Sequence, residues 1–293
     1  MQAKNLGNRS PAKEKGVIKK KRSNHMKTQM KTQTHVEPET RHILPFLAWT
    51  FGISWGSWLI LYILSALQVT NGAETLGTAF ILIGAFGPAL GSFISLNISK
   101  PKQMLSFIFS HAKGWWIYML AFCLVRVLTL FIANPVLPPL NAILMFPLGW
   151  TFITFAGGGN EELGWRGVLQ PALEKKFSFP IATVITGLIW VAWHLPLWLI
   201  PGTGQSQLSL PFYILFCVMA SFCLAVLYKQ TASVFACMVF HGCINFAQTV
   251  IVGAATKGGT SLSFHAANAV MTILLLGWWY WKGNRKGAEK DAS

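Results

Sequence analysis

The stretch Phe177–Tyr228, FSFPIATVITGLIWVAWHLPLWLIPGTGQSQLSLPFYILFCVMASFCLAVLY, contains no Lys, Arg, Asp or Glu. A helix crosses the hydrocarbon core of a bilayer with about 20 apolar residues. The stretch is therefore two crossings, divided at Pro201-Gly202-Thr203-Gly204, a strong turn signal. A second uncharged run, Val127–Asn160, lies just upstream. The same reading carried outward gives eight spans, near Ile43–Leu67, Thr75–Ile98, Trp115–Ala133, Ala142–Gly158, Phe179–Ile200, Pro211–Tyr228, Ala232–Val252 and Ala266–Trp281. The fourth is short and is positioned to continue into the segment that follows it. The fold class expected is an all-α, polytopic membrane protein of about eight transmembrane helices.

Composition agrees. Of the 293 residues 53% are hydrophobic and 11% charged, with 13 Trp and 21 Phe. A soluble domain carries about a quarter charged residues. Three regions follow: a basic tail over 1–42, a membrane domain over 43–281 with its functional core at about 140–250, and a second tail over 282–293.

The formal charge of +15 is unevenly placed. An even number of spans puts both termini on one side. Eleven Lys/Arg of the first tail and four of the last (Lys282, Arg285, Lys286, Lys290) fall there. So do Lys100, Lys102, Lys113, Arg166, Lys175, Lys176 and Lys229, while Arg126 lies inside a span and Lys257 alone falls opposite. The positive-inside rule then predicts cytoplasmic termini, in the cell membrane if the source is bacterial. The first tail has no apolar stretch of signal-peptide length, so no cleaved signal is expected. Its Lys19-Lys20-Lys21-Arg22 run fits contact with anionic headgroups of the bilayer better than nucleic acid, and no nucleic-acid partner is expected. Cys123, Cys217, Cys223, Cys237 and Cys243 all fall in spans without CxxC spacing and read as small packing residues.

Charge inside the membrane points to function. Gly157-Gly158-Gly159-Asn160-Glu161-Glu162-Leu163-Gly164-Trp165-Arg166 breaks the fourth span. Asn160 is a suitable N-cap for a helix whose first turn holds Glu161 and Glu162, and Glu162 faces Arg166 four residues on. His194 is the only ionisable group of the fifth span. His241 and Asn245, four apart, project from one face of the seventh. Taken one at a time these are a surface helix cap, a satisfied core histidine and interhelical glue. Taken together, two imidazoles and a carboxylate can hold a divalent metal with an open position. Equally, a carboxylate and an imidazole can activate water without metal. The second imidazole and the Asn245 amide would then support an oxyanion. Two competing protease chemistries lack their residues. The only aspartate is Asp291, which rules out an aspartyl dyad, and HExxH does not occur.

Glu161-Glu162-xxx-Arg166, Trp190-xxx-His194 and His241-xxx-Asn245, in that order over about residues 140–250, resemble the three motifs of the CPBP or Abi family. That family includes the type II CAAX prenyl endopeptidases. Trp190 stands where Phe is frequent. The resemblance implies an intramembrane endopeptidase with Glu161 as general base assisted by His194. It further implies that Glu162 and Arg166 shape the site, and that His241 and Asn245 support the oxyanion. The family is commonly labelled metalloprotease. On that footing Glu161, His194 and His241 are the candidate ligands for a divalent ion, zinc first, with a metal-free glutamate mechanism as the alternative. The expected partner is a protein or peptide substrate in or at the membrane, prenylated or not, and the site is expected to open toward the cytoplasmic side near Glu161. A non-catalytic immunity or scaffold protein, or a transporter, is the competing class, because polar groups inside spans also mark transport paths.

Overall fold

The computed structural model describes the backbone of residues 37–252 and 262–291, with side chains of 37–251 and 262–282. Most of the basic tail, and Lys257, lie outside the described residues.

Ten main helices follow one another: α1 Ile43–Ala66, α2 Thr75–Ala85, α3 Gly87–Ser95, α4 Pro101–Phe109, α5 Trp115–Ala133, α6 Leu140–Ala156, α7 Phe179–His194, α8 Leu210–Thr231, α9 Val234–Ala247 and α10 Leu262–Asp291. There is no strand among the described residues. Between α6 and α7 the chain passes through a 3-10 turn (Gly159–Glu161), one α-turn (Glu162–Gly164), a π-helical stretch (Trp165–Leu169) and a final α-turn (Gln170–Leu173).

Eight segments are long and apolar enough to cross a membrane: Thr40–Ala66, Thr75–Ser95, Trp115–Ala133, Leu140–Leu173, Phe179–Leu199, Leu210–Thr231, Val234–Ile251 and Leu262–Lys282. The chain is a multi-pass integral membrane protein. Many large apolar side chains point outward, among them Leu59, Ile132, Leu144 and Ile273. An apolar outer surface of this extent suits a lipid environment and not water. The fourth span does continue past its glycine break, to Leu173. The last helix runs on to Asp291, so the backbone of 282–291 is helical where a tail was expected. The short helix α4 has no counterpart in the sequence reading. Its nine residues are too few to span a bilayer.

Helices in lipid associate by close packing, and small residues allow it. A Cβ on Gly87 would meet Ser54 Oγ at 2.0 Å, so α1 and α3 touch nearly backbone to backbone. Pro88 has no N–H to offer the preceding turn, and a carbonyl left bare in lipid is costly. Ser54 Oγ donates to Gly84 O at 2.7 Å, and Asn160 Nδ2 donates to Ala85 O at 2.9 Å. The break between α2 and α3 is thereby satisfied from α1 and from the glutamate segment.

The connections sort into two faces. On one, Ala112 N donates to Thr231 O at 2.7 Å, Lys175 pairs with Glu39 at 2.7 Å, Lys229 with Glu174, and Lys282 reaches Gln230 at 2.7 Å. On the other, Gly72 N donates to Pro201 O at 2.8 Å, and Ser263 Oγ donates to Asn134 Oδ1 at 2.9 Å.

Gly87→Leu is expected to lower the thermal unfolding midpoint in detergent. Overpacking a tight contact costs about 1–3 kcal/mol. An unchanged midpoint, at unchanged membrane insertion, would count against the α1–α3 packing described.

Candidate active site

The broken fourth span brings its polar residues to the bundle interior. Gly158 has φ +133°, a conformation that disfavours any side chain, and a Cβ there would meet Asn245 Nδ2 at 2.7 Å and His241 Nε2 at 3.1 Å. Glycine is thus needed on two counts. Asn160 does not cap the following helix as expected. Its Oδ1 accepts from Gly158 N at 3.2 Å while its Nδ2 reaches Ala85 O. The amide holds the glycine turn against α2 instead.

The two adjacent glutamates have opposite surroundings. Glu162 is fully buried, with Arg166 NH1 at 3.2 Å from Oε2 and His241 Nδ1 at 2.8 Å from Oε1. The i,i+4 pair read from the sequence is therefore present, but in the interior and not on a membrane-surface helix. Arg166 NH2 also donates to Ser221 O at 3.1 Å and Ser221 Oγ at 2.8 Å, and the guanidinium lies 5.8 Å from the Trp190 ring. Arg166 ties the glutamate segment to α7 and α8, and Glu162 ties it to α9 through His241.

Glu161 has no ion-pair partner among the described residues. Its Oε2 accepts two indole N–H groups, Trp190 Nε1 at 2.6 Å and Trp165 Nε1 at 3.1 Å. Both donors use the same oxygen, which leaves Oε1 as the free basic atom. Glu161 lines a cavity of about 170 Å³ together with Trp190, His194, Tyr213, His241 and Asn245.

The histidines are oriented by what their Nδ1 atoms touch. His194 Nδ1 lies 2.9 Å from Trp190 O. A carbonyl only accepts, so Nδ1 carries the proton and Nε2 keeps its lone pair. Tyr213 packs edge-on at 5.5 Å and Trp193 at 4.5 Å, which fixes the ring. His241 spends Nδ1 on Glu162 and presents Nε2 toward Gly158. Asn245, one turn further along α9, is half-buried at the same cavity.

All six residues read from the sequence come together: Glu161, His194, His241 and Asn245 around the cavity, Glu162 and Arg166 behind it. A resident metal fits less well. Among the described residues no group of three His, Cys, Asp or Glu is placed to hold an ion. No step below is routed through one.

Several contributors escaped the sequence reading. Trp165 supplies the second indole to Glu161, and Ser221 accepts Arg166 from the middle of an apolar helix. Neither has a sequence signal, since a Trp in one span and a Ser in another are ordinary packing residues. Arg126, visible as a charge inside a span, is fully buried and donates to Asn268 Oδ1 at 2.6 Å and to Ile244 O at 3.3 Å. It holds α9 one residue before Asn245.

The cavity wall includes Ile81 and Leu82 of α2, Leu197, and Gln205 of the connection between α7 and α8. These belong to the face of Gly72 and Pro201, away from the lysine-bearing connections. Glu161 is close in the chain to Glu174-Lys175-Lys176, but buried turns intervene.

Arg166→Met is expected to destabilise the fold by about 3–5 kcal/mol, the cost of stranding a buried charge. Glu162→Gln added to it should recover part of that loss in thermal unfolding. If the double variant is no more stable than the single, the ion pair does not hold the site.

Residues 143–247 match the family described as Type II CAAX prenyl endopeptidase Rce1-like. CAAX prenyl protease 2 of Methanococcus maripaludis is 26% identical over 107 residues, covering 34% of this chain and 40% of that protein. The chain thus aligns with less than half the length of this relative. The matched segment contains all three motifs read from the sequence, and it is this segment that is similar to CAAX proteases.

Proposed function

We propose that this chain is an intramembrane endopeptidase, hydrolysing peptide bonds of membrane-associated proteins or peptides with water activated by Glu161. The observation that carries this reading is the contrast between the two glutamates. Glu162 is paired with Arg166 and His241, whereas Glu161 faces a cavity with one oxygen free and has no ion-pair partner among the described residues.

The steps balance as follows. Glu161 Oε1 takes a proton from a water molecule whose other hydrogen bonds to His194 Nε2. The hydroxide oxygen adds to the peptide carbon, and the carbonyl π pair moves onto oxygen. Asn245 Nδ2 and His241 Nε2 donate to that oxyanion. Because His241 Nδ1–H is already spent on Glu162, a donating Nε2 makes the ring an imidazolium, and Glu162 at 2.8 Å is its counter-charge. The oxyanion pair then re-forms C=O, the C–N bond breaks with its pair on nitrogen, and protonated Glu161 gives its proton to that nitrogen. Donors aimed at a developing oxyanion are each worth about 10²–10³ in rate. The two tryptophans hold Glu161 so that the same atom serves as base and then as acid.

The match to the CAAX family supports the reaction class, and the chemistry of the donor set supports the roles. A non-catalytic role has no comparable observation in its favour.

The test uses purified protein in detergent with a prenylated CAAX peptide and a mixed peptide library. Glu161→Gln should lose about 10²–10⁴ of the cleavage rate, the usual contribution of general acid–base catalysis. His194→Ala, His241→Ala and Gly158→Ala should each lose a large part of it while the protein stays folded. Full activity in Glu161→Gln sinks the reading. A chelator arm with zinc add-back decides the route to activated water: activity that survives chelation fits Glu161 alone, and activity lost and restored by zinc assigns that role to a metal.

A further inference from the structure

We infer that the cavity is entered from the membrane face opposite the basic connections, so that the substrate is a peptide segment presented at the extracytoplasmic surface. The substrate class rests on the endopeptidase reading above, but the direction of entry does not.

Three observations converge. The first is the position of the cavity along each span. It is walled by Leu82 near the start of the second span, His194 near the end of the fifth and Tyr213 at the start of the sixth. Gln205, in the surface connection between the fifth and sixth spans, completes the wall. All these positions lie toward the same face, the one where Gly72 meets Pro201 and a Cβ on Gly202 would touch Asn71.

The second is a seal on the other side. Trp165, Arg166, Val168 and Leu169, which follow Glu161 toward the opposite face, are all fully buried. Phe46 closes on Trp165 edge to face at 5.7 Å, and Phe107 of α4 covers Gly167, where a Cβ would come within 2.5 Å of the ring. Beyond them Gln170 is bonded to Thr183 at 3.0 Å and to Glu174 at 2.8 Å. The residues of this layer are packed against one another and buried.

The third is charge. The sealed face carries Lys100, Lys102, Lys113, Lys175, Lys176 and Lys229, whose connections also hold the Lys175–Glu39 and Lys229–Glu174 pairs. Arg166 leaves this count because it is buried at the site. On the cavity's face the connections 67–74, 134–139 and 200–209 have one charged residue, Glu74, and the sequence between the seventh and eighth spans adds one lysine, Lys257. Short connections rich in Lys and Arg stay in the cytoplasm. The sealed face is therefore cytoplasmic and the mouth is on the outside. A tail synthesised and lipidated in the cytoplasm would meet the closed side. Exported peptides, or the external parts of membrane-anchored chains, meet the open one.

The test is thiol labelling of the full chain in spheroplasts of a bacterial host, with a membrane-impermeant thiosulfonate. The native cysteines Cys123, Cys217, Cys223, Cys237 and Cys243 are buried, so the unmodified chain is the background. Gly204→Cys marks the cavity's face, Lys176→Cys the sealed face, and Leu82→Cys the cavity wall. The inference expects Gly204→Cys and Leu82→Cys to label before lysis and Lys176→Cys only after it. Gly204→Cys labelling only after lysis overturns the orientation. Leu82→Cys labelling only after lysis, or from neither side, overturns the entry path. Peptide cleavage is scored separately with Glu161→Gln as control. Failure of cleavage would remove the endopeptidase reading while the labelling still decides which face the cavity opens on.

Discussion

A carboxylate held in the middle of a bilayer has to be surrounded before the helices around it can pack, and Glu162 sets that condition here. Its Oε1 meets both Arg166 and His241, and Arg166 in turn needs Ser221 and the face of Trp190. These residues come from the glutamate segment, α9, α8 and α7. Hydrophobic burial cannot sort these helices, because lipid is as apolar as their neighbours. A charge that is tolerable in one arrangement and expensive in the others can. The π-helical stretch Trp165–Leu169 begins where Trp165 turns to Glu161 and Arg166 to Glu162, so the local departure from α-geometry coincides with the two contacts that matter. Irregular turns of this kind recur at functional sites.

With Glu162 committed to structure, its neighbour is free for chemistry. Successive residues in a helical turn point about a quarter-turn apart, and that rotation puts Glu161 beside indole donors and a cavity instead of beside a cation. Indole N–H groups are well suited to the task. They satisfy one oxygen of a buried acid, and they add no formal charge that would compete with a proton. An arginine in place of Trp190 would make a firmer ion pair and a poorer base.

The eight spans were legible because length and lack of charge are all that crossing a bilayer demands. The six polar residues of the site were legible for the same reason, since little else in those spans is polar. What the sequence hid is directional. Nothing in the text says that Asn160 bonds backward to Gly158 and Ala85 and does not cap the turn ahead. Trp165 and Ser221 are ordinary residues until a partner 4 or 55 positions away gives them work. The depth at which Glu161 lies was hidden for a related reason. Glu161 is close in sequence to Glu174-Lys175-Lys176, but the turns between are filled by Trp165, Val168 and Leu169. Distance along a buried helix measures the thickness of a seal as readily as nearness to water.

Arg126 shows how far from the reacting groups the precision of the site extends. It is fully buried, and the groups it meets are the Asn268 amide, the Ile244 carbonyl and the Phe264 ring at 5.7 Å. A guanidinium in lipid demands dipoles on every side, and α9 and α10 can supply these only in one mutual register. The helix α9 is then held at three heights. Ser233 caps its start by accepting from Ala236 N at 3.1 Å, Glu162 grips His241 in its middle, and Arg126 takes the Ile244 carbonyl near its end. Beyond Ala247 the α-geometry gives way to a π-helical stretch, Gln248–Val252. His241 thus stands between two fixed points and Asn245 directly follows the second, on the part of the helix that can least slide or turn. A hydrogen-bond donor for an oxyanion is effective only when it need not move during the reaction. The buried arginine, which touches neither the glutamates nor the cavity wall, supplies that stillness.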